Sequence, residues 1–173
     1  MKSTIREQIR EALIQELGDT TDAYGYMQTF LDMYSSFFQV SYGFMTEKGT
    51  RYEVHMRYRV PDDFIGVDFT AENSFTKVVN EGTTFRTIAT VMRIVSDFWM
   101  DRREIITSHQ DDFFEAFEVG TFDQIQGFSF RVDSPDGLRP KDTSRFKLYN
   151  AFIRQQFPSA QIQTKGLDIL VTP

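Results

Sequence analysis

The segment Arg51–Val60, RYEVHMRYRV, limits the choice of fold more than any other part of the chain. Tyr52, Val54, Met56, Tyr58 and Val60 alternate with Glu53, His55, Arg57 and Arg59. A period of two belongs to an extended strand with one buried and one polar face. Such a strand needs partners, and the flanking sequence supplies them. Upstream, FQVSYGFMT is rich in aromatic and β-branched residues and EKGT forms a turn, which predicts a hairpin. Downstream, Pro61-Asp62-Asp63 breaks the chain, and FIGVDFT follows as a third strand with Ile65, Val67 and Phe69 on one side. Three antiparallel strands in a meander are the simplest arrangement.

Helical spacing surrounds this block. Ile5, Ile9, Leu13 and Leu17 step by four between a Ser3 or Thr4 cap and Gly18, which predicts a single-striped helix. Tyr26, Phe30, Met33 and Phe37 step by three and four and predict a second helix over Asp22–Ser36. After the strands, Phe85, Ile88, Met92, Val95 and Trp99 form the stripe of a helix over Thr83–Met100, with Asp101-Arg102-Arg103-Glu104 ending it. DDFFEAFEV fits a short helix or a strand. QIQGFSFRV, apolar nearly throughout, predicts a central strand. DSPDGLRPKD reads as an exposed loop. In DTSRFKLYNAFIRQQFP the residues Phe146, Tyr149, Phe152, Ile153 and Phe157 share a stripe, with Thr143 or Ser144 as the cap and Pro158 as the stop. AQIQTKGLDILV closes the chain as a last strand. The expected class is α+β in a single domain over 1–173, with two N-terminal helices and a mixed, mostly antiparallel sheet of about five to six strands flanked by helices.

Composition narrows the function classes. A chain of 173 residues buries a core without staples, and the absence of Cys excludes disulfides, thiolate zinc sites and cysteine nucleophiles. A formal charge of -6 argues against broad binding to nucleic-acid backbones, although Lys and Arg cluster between Arg139 and Arg154. MKSTIREQIREALIQEL is amphipathic and not a signal peptide, and no apolar run approaches the roughly 18 residues of a membrane span. A cytoplasmic protein with no membrane partner is expected.

The order of elements, ending in FSFRVD and TSRFKLYNAFIRQQF, resembles the GCN5-related N-acetyltransferase (GNAT) superfamily. Those proteins run antiparallel meander, helix, strand, helix, strand, and their final helix commonly carries a pair like Leu148-Tyr149. The chain is also similar to small uncharacterised bacteriophage proteins that combine a Phe-x-x-x-x-Thr-Val helix, here Phe85 to Val91, with a Ser-Arg-x-x-Leu-Tyr helix, here Ser144 to Tyr149. The resemblance spans roughly Tyr42 to Pro173. It implies acetyl-CoA as cofactor, its pyrophosphate held at the start of the central helix by a Gln or Arg followed by Gly-x-Gly or Gly-x-Ala. Glycine lets the backbone approach the anion and the helix N-terminus adds positive potential. The matching stretch here, NEGTTFRTIATV, has Gly82 alone, with Glu81 before it. Gly82, Thr83, Thr84 and Arg86 are the residues left to meet a phosphate. Tyr149 takes the position of the acid that protonates the departing thiolate, against its reading from spacing alone as a core residue.

Other candidates stay bland. His55 on the polar strand face reads as a surface His. HQDD offers His109, Asp111 and Asp112, but local spacing does not build a metal site and Asp111 reads as the cap of a following helix, so no metal is expected. Asp62, Asp63, Asp68, Asp111, Asp112, Glu115 and Glu118 make a negative face or merely solvated surface. Arg145, with Lys147, Arg139, Lys141 and Arg154, offers an anion-binding edge or a carboxylate partner. No Ser-His-Asp order, Walker loop, zincin motif or dinucleotide fingerprint is present. The defective loop points first to a phage-type protein that binds rather than catalyses and needs no cofactor. The alternatives are an N-acyltransferase with an atypical loop, and an acidic inhibitor or virion component with a protein partner.

Overall fold

The hairpin expected from the alternating segment forms within the sheet in a computed structural model, which describes residues 23–34, 36–71, 84–108, 124–131 and 144–173. Strands β2 (Phe37–Met45) and β3 (Arg51–Arg59) pair antiparallel from Phe37–Arg59 to Met45–Arg51. Gly49, with φ of 84°, turns the chain between them, and the Thr50 amide donates to the Thr46 hydroxyl at 3.2 Å. Strand β4 (Phe64–Ala71) pairs with β3 on the other side. The alternation in β3 is realised as expected: Tyr52, Val54, Met56 and Tyr58 are buried, and Glu53, His55 and Arg57 lie on the opposite face.

The predicted helix over Asp22–Ser36 is instead strand β1 (Tyr26–Tyr34), paired antiparallel with β2. Its register shifts between Gln28 and Phe30. A bulge inserts one residue and breaks the period of two. The apolar residues therefore fall at intervals that mimic a helix. The meander has four strands, one more than expected. The predicted helix carrying Ile5 to Leu17 lies outside the described residues, as do DDFFEAFEV and the loop 133–142.

Helix α1 (Thr84–Ser108) runs eight residues past the expected end at Met100, through the polar Asp101–Glu104. Polar residues do not stop a helix when they face solvent, and Asp101, Arg103 and Glu104 are exposed. Strand β5 (Gly127–Arg131) lies beside β4 in parallel, and helix α2 (Ser144–Gln156) follows. The single last strand expected is a hairpin of β6 (Gln161–Lys165) and β7 (Asp168–Thr172), turned at Gly166 with φ of 60°. The seven-stranded sheet has the order β1-β2-β3-β4-β5-β7-β6. Only β4 and β5 are parallel among these pairings, so the sheet is mixed and mostly antiparallel.

Both helices cover one face of it. Phe98 of α1 stacks on Phe38 at 5.8 Å, and Trp99 meets Phe128 edge-on at 6.0 Å. Phe130 lies 5.8 Å from Tyr149 of α2, and Phe128 5.2 Å from Phe157. Burying these rings supplies most of the drive for the layer, at about 25 cal/mol per Å² removed from water. Phe128 meets Trp99 of α1 and Phe157 just past the end of α2, so it ties both helical segments to the sheet. No described helix is long and apolar enough to cross a membrane.

Candidate functional site

Three places merit inspection: the start of α1, the seam between β4 and β5, and the sheet face turned away from the helices. The start of α1 sits at the turn between β2 and β3. Tyr24 donates its backbone N–H to Thr90 Oγ1 at 3.0 Å, and that hydroxyl donates to the Arg86 carbonyl at 2.8 Å. Arg86 Nη1 is ion-paired with Glu47 of the turn, and its guanidinium lies 4.1 Å from the centroid of the Tyr24 ring. Tyr24 also donates its hydroxyl to the Glu47 carboxylate at 3.1 Å. Burial first, then Glu47, raises the Tyr24 pKa, which keeps the phenol protonated as a donor. Arg86 is therefore engaged with a carboxylate of the chain itself. Thr84 is the first residue of α1. Gly82 and Thr83 lie outside the described residues.

At the seam, β4 and β5 pair from Phe64–Gly127 to Val67–Phe130. Among the described residues the pairing ends there, while β4 continues from Asp68 to Ala71 against β3. Tyr149 is buried, as its spacing predicts, and it packs against Phe130, the last inward residue of β5, beside the end of the seam. The backbone of Arg145 is in the first turn of α2, but its side chain lies outside what the structure describes. Lys147 and Arg154 are exposed on α2.

The third place was missed by sequence reasoning. On the outward face, Ser41, His55 and Asp68 are successive cross-strand neighbours on β2, β3 and β4. Ser41 Oγ is 2.8 Å from His55 Nδ1. Arg57 donates from Nε to Gln39 Oε1 at 3.1 Å and from Nη1 to Asp68 Oδ2 at 2.7 Å. His55 is thus half-buried in a hydrogen-bonded cluster rather than simply at the surface, and burial lowers its pKa, with Asp68 opposing and Arg57 assisting. Ser41 is buried in mid-strand, where the ladder occupies the neighbouring amides, so the row lacks the accessible nucleophile and free donors of a hydrolase.

Beside this cluster a groove of about 950 Å³ crosses the sheet from the β3–β4 turn to the β6–β7 turn. Asp62 and Asp63 stand at one end, Arg131, Lys165 and Asp168 at the other, and Gly66 and Ser129 form the floor. The Gln126 amide donates to the Asp63 carbonyl at 2.8 Å and fixes the first end to the start of β5. Of the acids expected to form a negative face, Asp62, Asp63 and Asp68 are interleaved here with Arg57, Arg59 and Arg131, so the local surface is mixed in charge. The other four, and His109, lie outside the described residues. The signal for the groove was a glycine in a strand, Gly66, whose role depends on strands that are distant in sequence.

Compared with protein-family models, curated proteins and solved structures, the chain finds no match in any of the three.

Proposed function

We propose that this is a GNAT-like domain of the bacteriophage type that works by binding a ligand and has no acetyl-transfer activity of its own. The order of elements supports the likeness: an antiparallel meander, a helix, a strand parallel to the last meander strand, a second helix bearing Leu148-Tyr149, and a closing hairpin. The observation that carries the binding reading is the ion pair of Arg86 with Glu47, backed by Tyr24. An acetyl-CoA pyrophosphate at this helix start would meet a carboxylate instead of a free cation and glycine amides, and like charges repel there. Titration calorimetry with acetyl-CoA and with CoA tests this. No saturable heat at micromolar protein and ligand is expected, and micromolar affinity for either would overturn it.

A second reading, an acyltransferase with an atypical loop, draws on the place of Tyr149 beside the end of the β4–β5 seam. It requires that Tyr149→Phe slow acetyl transfer while leaving acetyl-CoA affinity intact. Equal rates for the two proteins would remove the acid role.

A further inference from the structure

The groove on the outward face exists because two small residues lie side by side. Gly66 of β4 and Ser129 of β5 are register partners, with Arg57 next to Gly66 and Leu170 next to Ser129 along the same row. Gly66 is not required by the fold. Its φ is not in the left-handed region, and among the described residues a Cβ there would meet only the Arg57 carbonyl at 3.7 Å, an ordinary contact. Gly127 shows the opposite case, since a Cβ on it would sit 1.8 Å from the Val171 carbonyl oxygen. A glycine inside a strand weakens it, and where backbone geometry gives no reason it marks a close approach by something else. At Gly66 what it leaves, among the described residues, is open space above the sheet.

The charges around that space are arranged in two ends. Arg131, Asp168 and Lys165 are successive cross-strand neighbours on β5, β7 and β6, giving two cations to one carboxylate. At the other end Arg59 is followed by Asp62 and Asp63 in the β3–β4 turn, giving two carboxylates to one cation. None of these six forms an ion pair among the described residues. Arg57, beside Gly66, and Asp68, level with Arg131 at the positive end, neutralise each other at 2.7 Å. The groove is therefore polarised, positive over β5–β7–β6 and negative at the β3–β4 turn, with Phe37, Phe64 and Leu170 as apolar walls.

We propose that this groove binds a short peptide with free termini, its ammonium over Asp62 and Asp63 and its carboxylate over Arg131 and Lys165. The span fixes the length. Asp68 is at the level of Arg131, one step beyond the Val67–Phe130 pair. The five steps of β4 from Asp63 to Asp68 cover about 16 Å at a strand rise of about 3.3 Å per residue, and the sideways step of two strands to β7 brings the span to about 19 Å, the reach of an extended peptide of roughly five to six residues. This inference deepens the binding reading above but stands on the groove alone, so the acetyl-CoA titration and the test that follows fail independently.

The test is calorimetry of the full chain with the pentapeptide Ala-Gly-Leu-Gly-Ala, with its N-acetylated form and with its C-amidated form. The free peptide is expected to bind saturably, and each cap to weaken binding by roughly tenfold, one lost charge-assisted contact apiece. Asp62→Asn with Asp63→Asn is expected to abolish discrimination against the acetyl cap, and Arg131→Gln with Lys165→Gln discrimination against the amide. Gly66→Val fills the floor and is expected to abolish binding without lowering Tm. The proposal is overturned by a free peptide that shows no saturable binding, by capped peptides that bind as tightly, or by a folded Gly66→Val protein of unchanged affinity. If Gly66→Val does not fold, the cap comparison on the native chain decides alone.

Discussion

Phe128→Ala empties a ring site on which the sheet and both helical segments converge. The ring is 1 % exposed and lies within 6.0 Å of Trp99, 5.5 Å of Phe130 and 5.2 Å of Phe157, so sheet and helix-layer groups close around it from several sides. Removing a buried Phe costs 3–5 kcal/mol, the upper part of the range where the walls cannot collapse. Walls drawn from a sheet and two helices are stiff, so a loss of about 4 kcal/mol is expected. Domains of this kind have roughly 5–15 kcal/mol in total. With an m-value of about 2 kcal/mol/M, the urea midpoint moves down by about 2 M while m stays constant. Trp99 is the sole tryptophan and lies partly exposed against Phe128, so its emission also shifts to the red in the folded variant. A loss below about 1 kcal/mol, or an unmoved emission spectrum, would mean that β5 does not sit beneath the two helices as described.

Two further expectations separate residues that look alike in sequence. Gly127→Ala must push a methyl into the Val171 carbonyl, so it is expected to cost at least about 3 kcal/mol or to prevent folding, whereas Gly66→Ala stays within about 0.5 kcal/mol by the same urea assay. His55 gives a pH dependence whose sign follows from its lowered pKa. As pH falls through about 6.5 the unfolded chain takes up a proton before the folded one does, so stability declines from there until the folded His55 protonates too. His55→Gln is expected to flatten that part of a stability profile between pH 7 and pH 5; an unchanged slope would assign it to other groups.

The core of the sheet was legible because its signals are local. In β3 one alternating run names its own buried face, and in α1 the stripe from Phe85 to Trp99 does the same. Where the backbone departs from regularity, the pattern misleads. The register shift at Gln28–Phe30 turned a strand into apparent helical spacing, and Gly166 hid a hairpin inside what reads as one strand. The candidate site was less legible still, since it is made by lateral neighbours. Arg86 and Glu47 are 39 residues apart, and nothing in NEGTTFR says that a turn carboxylate will claim the arginine. The Gly66–Ser129 floor likewise depends on the parallel register of two strands joined through a helix. Tyr149 needed no such information, because its stripe already placed it in the core.

Arg86 in the first turn of α1 is engaged by the chain's own Glu47, and the proposed binding function requires that this end of the helix not accept a cofactor phosphate. Amide NMR of the labelled protein, titrated with CoA, tests it most directly. The account expects the backbone signals from Thr84 to Thr90 to stay in place through the titration. Saturable shifts confined to those amides would contradict it.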